Sequence, residues 1–368
     1  MTGPAPEGRP HEAEPGSADP TAPDERADDT TSRSSFATSP AGPPGGGIFT
    51  LEGRRAPGLY LVAWILTVAG LAVTFVLGPM ASDSSVGVIL IGAGALAVTL
   101  GLAAGAGSQI LERADRRPDH YRGPSPLLVF AAYFFVMSLV GLALITGLGL
   151  DPERPFSFLG VGVVQAAGYV LIVWLFAVRS GALSWQDMGW PALGARARDL
   201  LRDVVTAAAV MVPVTFGLLI VGGIVGLLLG VDAPQVLPLS ETVADGFMVV
   251  LAAAIIIPVG EEIFFRGFAL TAWRRDLGER SALTRSALFF ALVHVVNIAD
   301  VDFVTGFSQA LLQTVVLVPV AFVLGWLFLR YGIIGAISGH VTYNSLLLIL
   351  AFIASQLPEP GTSDWPTT

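Results

Sequence analysis

Six polar side chains sit inside stretches that are otherwise apolar, and their types and spacing define the chemistry open to this chain. Glu261, Glu262 and Arg266 close the run LAAAIIIPVGEEIFFR, His294 ends SALFFALVH, and His340 and Asn344 fall in ISGHVTYNSL. Ionisable residues in such surroundings cost about 2.5–3.5 kcal/mol each at a helix centre, and they default to functional hypotheses. On a helix, residues four apart share a face. Glu262 therefore lies over Arg266 and pairs with it, while Glu261, rotated by about 100°, is the freer carboxylate. Phe290 with His294, and His340 with Asn344, repeat the spacing of four, so each helix presents one short polar patch. A glutamate in such a place can act as general base on a water. Taken singly, each residue also has a packing role: a hydrogen-bonded core histidine, a helix-locking Glu262–Arg266 pair, a kink at Pro258, a close-packing Gly260, an interfacial Asn297. Taken together, strongly polar groups from three separate helices are hard to explain as packing.

The elements that must position these groups follow from composition. Of 368 residues, 53% are hydrophobic and only 13% charged, about half the charged share of an average soluble domain. Apolar stretches at about 58–79, 86–106, 126–149, 157–178, 203–230, 244–264, 282–298, 307–329 and 333–354 are mostly long enough to span a hydrocarbon layer of about 30 Å. Segments that must satisfy their own backbone in lipid, and are too long for barrel strands, are helices. The expected fold is thus an all-α, polytopic transmembrane bundle of eight or nine spans, the seventh stretch being the short one, with a four-helix core at its C-terminal end. Arginines alternate along it. Arg54 and Arg55, Arg113 to Arg122, Arg179 to Arg202, Arg274 to Arg285, and Arg330 occupy every second connection, against Arg154 alone in the others. By the positive-inside rule the N-terminus is cytoplasmic, in a multi-pass protein expected in the plasma membrane.

Ahead of the spans, residues 1–56 form an acidic segment rich in Pro, Gly and Ser, with too few large apolar side chains to offset the entropy of ordering. It reads as a disordered tail. No charged start followed by an apolar core opens the chain, so no cleavable leader is expected. Residues 57–230 then read as N-terminal transmembrane helices, 244–354 as the core, and 355–368 as a short polar tail. A net charge of −9 argues against nucleic acid as a partner, and the absence of cysteine excludes disulfides, thiolate metal sites and thiol nucleophiles.

EEIFFR (Glu261, Glu262, Arg266), FALVH (Phe290 to His294) and HVTYN (His340 to Asn344) resemble, in order and spacing, the EExxxR, FxxxH and HxxxN motifs of the CPBP group. These are the CAAX-protease and bacteriocin-processing (Abi) intramembrane proteases, which include the type II CAAX prenyl endopeptidases. One such motif alone is weak; three on three separate spans, in order, are specific. The resemblance covers about residues 244–354. It implies hydrolysis of peptide bonds in a water-filled cavity opening toward the cytoplasmic leaflet, acting on membrane-associated proteins or peptides. Carried over by position, Glu261 would activate water, and Glu262 with Arg266 would orient it. His294 would help hold the water or a metal, and His340 with Asn344 would stabilise the oxyanion. The resemblance leaves two routes open: Zn²⁺ or another divalent metal held by Glu261, His294 and His340, or a metal-free glutamate mechanism.

Other protease chemistries find no support. There is no HExxH; Ser338 and His340 are two apart and do not face each other; no intramembrane aspartate pair is present. Two non-proteolytic readings remain. One is a membrane scaffold or immunity-type binder that keeps the pocket without turnover. The other is a transporter with the same groups along an ion path, although no repeat between the halves accompanies it.

Overall fold

The computed structural model describes residues 54–78, 85–113, 121–151, 154–232, 237–238, 242–294 and 303–355. Residues 1–53 of the tail expected over 1–56, and 356–368 of the polar end expected over 355–368, lie outside these, as does Asn297. Among the described residues the protein holds helices and their connections and no strand, as expected. In chain order the helices are α1 (Pro57–Ala72, continued as a π-helix over Val73–Leu77), α2 (Ser85–Arg113), α3 (Pro126–Leu142), α4 (Pro155–Val173), α5 (Ala197–Leu229), α6 (Val243–Leu277), α7 (Glu279–His294) and α8 (Phe303–Ser355). All nine apolar stretches fall on them, the last two as the arms of α8.

Among the described residues, six helices are long and apolar enough to cross a membrane. The seventh stretch gives the 16-residue α7, about 24 Å long at 1.5 Å per residue. One boundary differs from expectation: α6 does not stop near residue 264 but runs on to Leu277, where Gly278 takes φ +80° and ends it. Thr271, Ala272 and Trp273 are buried, so this last stretch is held by packing rather than by hydrophobic run length. Leu227, Leu228, Phe247 and Phe352 are among many large apolar side chains left exposed on the outer faces, the surface that lipid covers.

The helix ends sort into two sets. Arg54 bonds Glu112 at 2.7 Å, Trp273 Nε1 donates to Gln109 at 3.3 Å, and Arg275 reaches Asp187 at 2.6 Å. These contacts gather the start of α1 and the ends of α2, α4 and α6 at one end of the bundle, the arginine-rich one. At the opposite end Gln309 Nε2 donates to the Asp232 carbonyl at 3.3 Å, tying α8 to α5.

α8 is a hairpin, folded at Gly332. Gly339 lies against Leu327 and Leu324, fifteen residues back along the chain, which only a reversal allows. Gly332 has φ +66°, and a Cβ there would stand 2.5 Å from the Gly189 carbonyl oxygen, which accepts from Ile333 N at 3.1 Å. Both the left-handed backbone and the close approach require glycine. Gly332→Ala is expected to cost at least about 1–2 kcal/mol from the backbone alone, read as a lowered unfolding midpoint in detergent.

The same loop that meets Gly332 is pinned by Asp187. Burial alone would push its carboxyl up, but the Ser184 amide and hydroxyl and the Arg275 guanidinium outweigh it and hold the group below the ordinary carboxylate range. A depressed carboxyl adds stability above its unfolded value, near 3.9, and loses it as pH falls through the native value. Hydrogen exchange at residues 184–190, corrected for intrinsic rates, should be flat from pH 8 to about 4 and rise below.

Candidate active site

α6 carries the carboxylates because its backbone is irregular where they stand. Two π-helical segments, Leu251–Ile256 and Ile263–Leu270, bracket an α-helical turn at Ile257–Glu262, a deviation often found at functional sites. Ile257 N–H bonds five residues back, to the Ala252 carbonyl. The next donor in that register would be Pro258, which has no N–H. The Ala253 carbonyl so released accepts from Asn344 Nδ2 at 2.8 Å. Pro258 therefore fixes the amide of a residue on the far arm of α8. Gly260 lets α4 approach: a Cβ on it would lie 2.7 Å from Ala166 Cα.

Glu262 and Arg266 form the expected pair, Nη1 to Oε1 at 2.8 Å, with both side chains wholly buried. Two further contacts hold Arg266 in place: the Phe290 ring 4.2 Å from its Cζ, and the Ala321 carbonyl 3.5 Å from Nη2. Glu262 Oε1 also accepts from His340 Nδ1 at 2.8 Å. Because Arg266 keeps Glu262 an acceptor, Nδ1 of His340 carries the proton and Nε2 presents its lone pair. His294 is set the same way. Its Nδ1 donates to the Phe290 carbonyl at 2.7 Å, which leaves Nε2 free of that bond. These hydrogen bonds select the tautomer.

Both Nε2 atoms point at Glu261. His294 Nε2 stands 3.4 Å from Oε1 and His340 Nε2 3.8 Å from Oε2. With both imidazoles neutral, acceptor faces acceptor, and a proton, a water or a cation shared there satisfies the cluster. The structure thus brings Glu261, Glu262, Arg266, His294, His340 and Asn344 into one cluster, with Glu261 on the open side and the Glu262–Arg266 pair behind it. Among the described residues, no group of three or more His, Asp or Glu side chains is arranged to hold a metal ion; the two Nε2 atoms approach different oxygens of Glu261.

Glu261, His294, His340 and Asn344 line a cavity of about 1280 Å³, above the usual range for a small-molecule pocket. Sequence reasoning missed its other wall. Tyr133 of α3 and Tyr169 of α4 stack at 4.0 Å and line the same space, with Gln165 beside them. A tyrosine in each of two early spans was the available signal, but nothing in the sequence pairs them. The cavity also extends toward the end opposite to the expected opening. It continues past Leu144, Phe158, Gly226, Val231 and Leu312, at the helix ends away from the arginines. Toward the arginine-rich end a second cavity of about 280 Å³, lined by Gln109, Glu112 and Trp273, shares Thr67, Leu102, Phe289 and Leu292 with it.

Residues 243–346 match the family model described as type II CAAX prenyl endopeptidase, Rce1-like. No curated protein and no solved structure matches the chain. The matched segment holds EExxxR on α6, FxxxH on α7 and HxxxN on the second arm of α8, converging on one cavity in an integral membrane bundle. On these grounds residues 243–346 belong to the CPBP/CAAX family of intramembrane proteases.

Proposed function

We propose that the protein is an intramembrane endopeptidase in which Glu261 activates a water. The observation that carries this reading is the meeting of Glu261 with two Nε2 lone pairs at the inner end of a cavity large enough for a peptide chain. Glu261 takes a proton from the water, whose oxygen bonds to the scissile carbonyl carbon as the C=O π pair moves to oxygen. The same proton then passes to the leaving amine as the C–N bond breaks. His294 would position the water. His340 and the second amide hydrogen of Asn344 would meet the oxyanion. Glu262 and Arg266 act from behind, by fixing the tautomer and place of His340. Substrates are membrane-associated proteins or peptides, and the arginine distribution supports a cytoplasmic N-terminus in the plasma membrane.

The test compares neo-N-termini in membranes of cells holding wild type, Glu261→Ala or His294→Ala at matched levels. Peptides that appear with wild type alone support the protease and name its substrates; three indistinguishable sets would give the lead to a non-catalytic scaffold or binder. No step of this reading passes through a metal. Turnover is expected to survive EDTA; loss on chelation with recovery on added Zn²⁺ would instead assign Glu261, His294 and His340 to a divalent ion.

A further inference from the structure

The second cavity lies outside the catalytic cluster, walled mainly by α1 and α2 on one side and by α7 and the first arm of α8 on the other. α1 packs along α2, and no comparable packing joins α1 to α7, so the cavity is a crevice between two helix pairs. Charge sits at one end of it. Ser108, Gln109 and Glu112 stand in the last two turns of α2, at the arginine-rich end, and Arg54 and Arg285 line the crevice with them. Among the lining residues two arginines thus stand against one carboxylate, Glu112, which Arg54 bonds at 2.7 Å while its Cζ lies 3.4 Å over the Tyr60 ring. Tyr60 and Trp64 belong to the same end, as aromatic residues do at a membrane–water interface. Deeper in, the lining is mainly apolar. From Glu112 to Leu102 the crevice follows about 15 Å of helix and reaches Leu288, Leu292 and Val318. One polar group is left over: Ser108 is 1% exposed, lines the crevice, and its Oγ has no hydrogen-bond partner among the described residues. A hydroxyl buried in this way is costly, and an ester or phosphate oxygen would accept from it.

We infer that this crevice binds one anionic glycerophospholipid of the cytoplasmic leaflet, its phosphate at the arginine end, a glycerol-ester oxygen on Ser108 and one acyl chain along the apolar length. Basic pockets between spans on the cytoplasmic side take anionic headgroups, and the positive-inside rule puts this end there. The tip of the chain meets Phe289 and Leu292, which also line the active-site cavity. Phe289 adjoins Phe290, whose carbonyl holds His294 Nδ1 at 2.7 Å, so the lipid braces the helix that carries His294. The inference goes beyond the protease reading and does not rest on it, because lipid binding needs no turnover.

The test titrates the full-length protein, delipidated in detergent, with dioleoylphosphatidylglycerol or dioleoylphosphatidylcholine and counts bound lipids by native mass spectrometry. Wild type is expected to hold one phosphatidylglycerol about fivefold more tightly than phosphatidylcholine, the worth of one net arginine at an anionic headgroup. Arg285→Gln should remove that preference. Thr314→Trp, which puts a large ring into the apolar length, should remove the tight one-to-one adduct. Equal retention of the two lipids by wild type would make the crevice a general slot for alkyl chains, substrate-borne ones included, and overturn the inference. A preference that survives Arg285→Gln, or a tight adduct that survives Thr314→Trp, would overturn it as well. Leu288→Trp, on the α7 wall of the crevice, repeats the test should Thr314→Trp fail to accumulate.

Discussion

Glu261→Gln is expected to lower turnover by about 10²–10⁴-fold, the usual contribution of a positioned general base, while leaving the bundle folded. The substitution keeps size and shape. It also places an amide N–H₂ group on one of the two native oxygen positions, facing either His294 Nε2 (3.4 Å from Oε1) or His340 Nε2 (3.8 Å from Oε2). With the unfolding midpoint unchanged, a loss of activity is a loss of the base and not a loosened site. The measurement is the rate of appearance of wild-type-specific neo-N-termini, alongside the unfolding midpoint. Full retention of turnover would remove Glu261 as the base.

Arg266→Ala is expected to act on stability first. It strands Glu262, whose side chain is wholly buried, and breaking such a pair from one side costs about 3–5 kcal/mol. The loss of the cation over Phe290 adds to this. A double variant separates the two roles of the pair. Glu262→Gln with Arg266→Met removes both charges at similar volume, and such exchanges are often neutral for stability. Most of the lost stability should return. Activity should not, because an amide can either accept from or donate to His340 Nδ1, which lies 2.8 Å from the native carboxylate, and no longer selects the tautomer. Recovery of both together would make the pair a structural brace with no part in orienting His340.

The rival readings separate on the same variants. A binder that keeps the pocket without turnover would tolerate Glu261→Gln and still fail with Arg266→Ala. A transporter would place charged or polar groups along a path open at both ends. Here the polar groups gather instead in one cluster around Glu261, with Phe264, Phe265 and Phe268 wholly buried beside it.

Much of this protein is legible in its residues alone. Nine apolar stretches must be helices in lipid, because only an internally bonded backbone is tolerated there, and as far as their residues are described all nine fall on helices. The four-residue spacing placed Arg266 against Glu262 and left Glu261 turned away, since helix periodicity is a local property that reads directly from numbering. Three polar patches on three spans pointed to one interior, for burying them separately is too costly. What tertiary structure alone decided depends on contacts between residues distant in sequence. The use of Asn344 to satisfy the Ala253 carbonyl arises because a proline on one helix withholds a donor that another helix must supply. The Tyr133–Tyr169 wall needs two helices side by side, which hydropathy does not arrange. Where the cavity lies was set by side-chain packing: bulky rings fill the space around Phe264, Phe265 and Phe268, and the helices part around Glu261, His294 and His340. Phenylalanine and leucine are equally apolar in a hydropathy reading, so a plug and a passage look alike until the helices are packed.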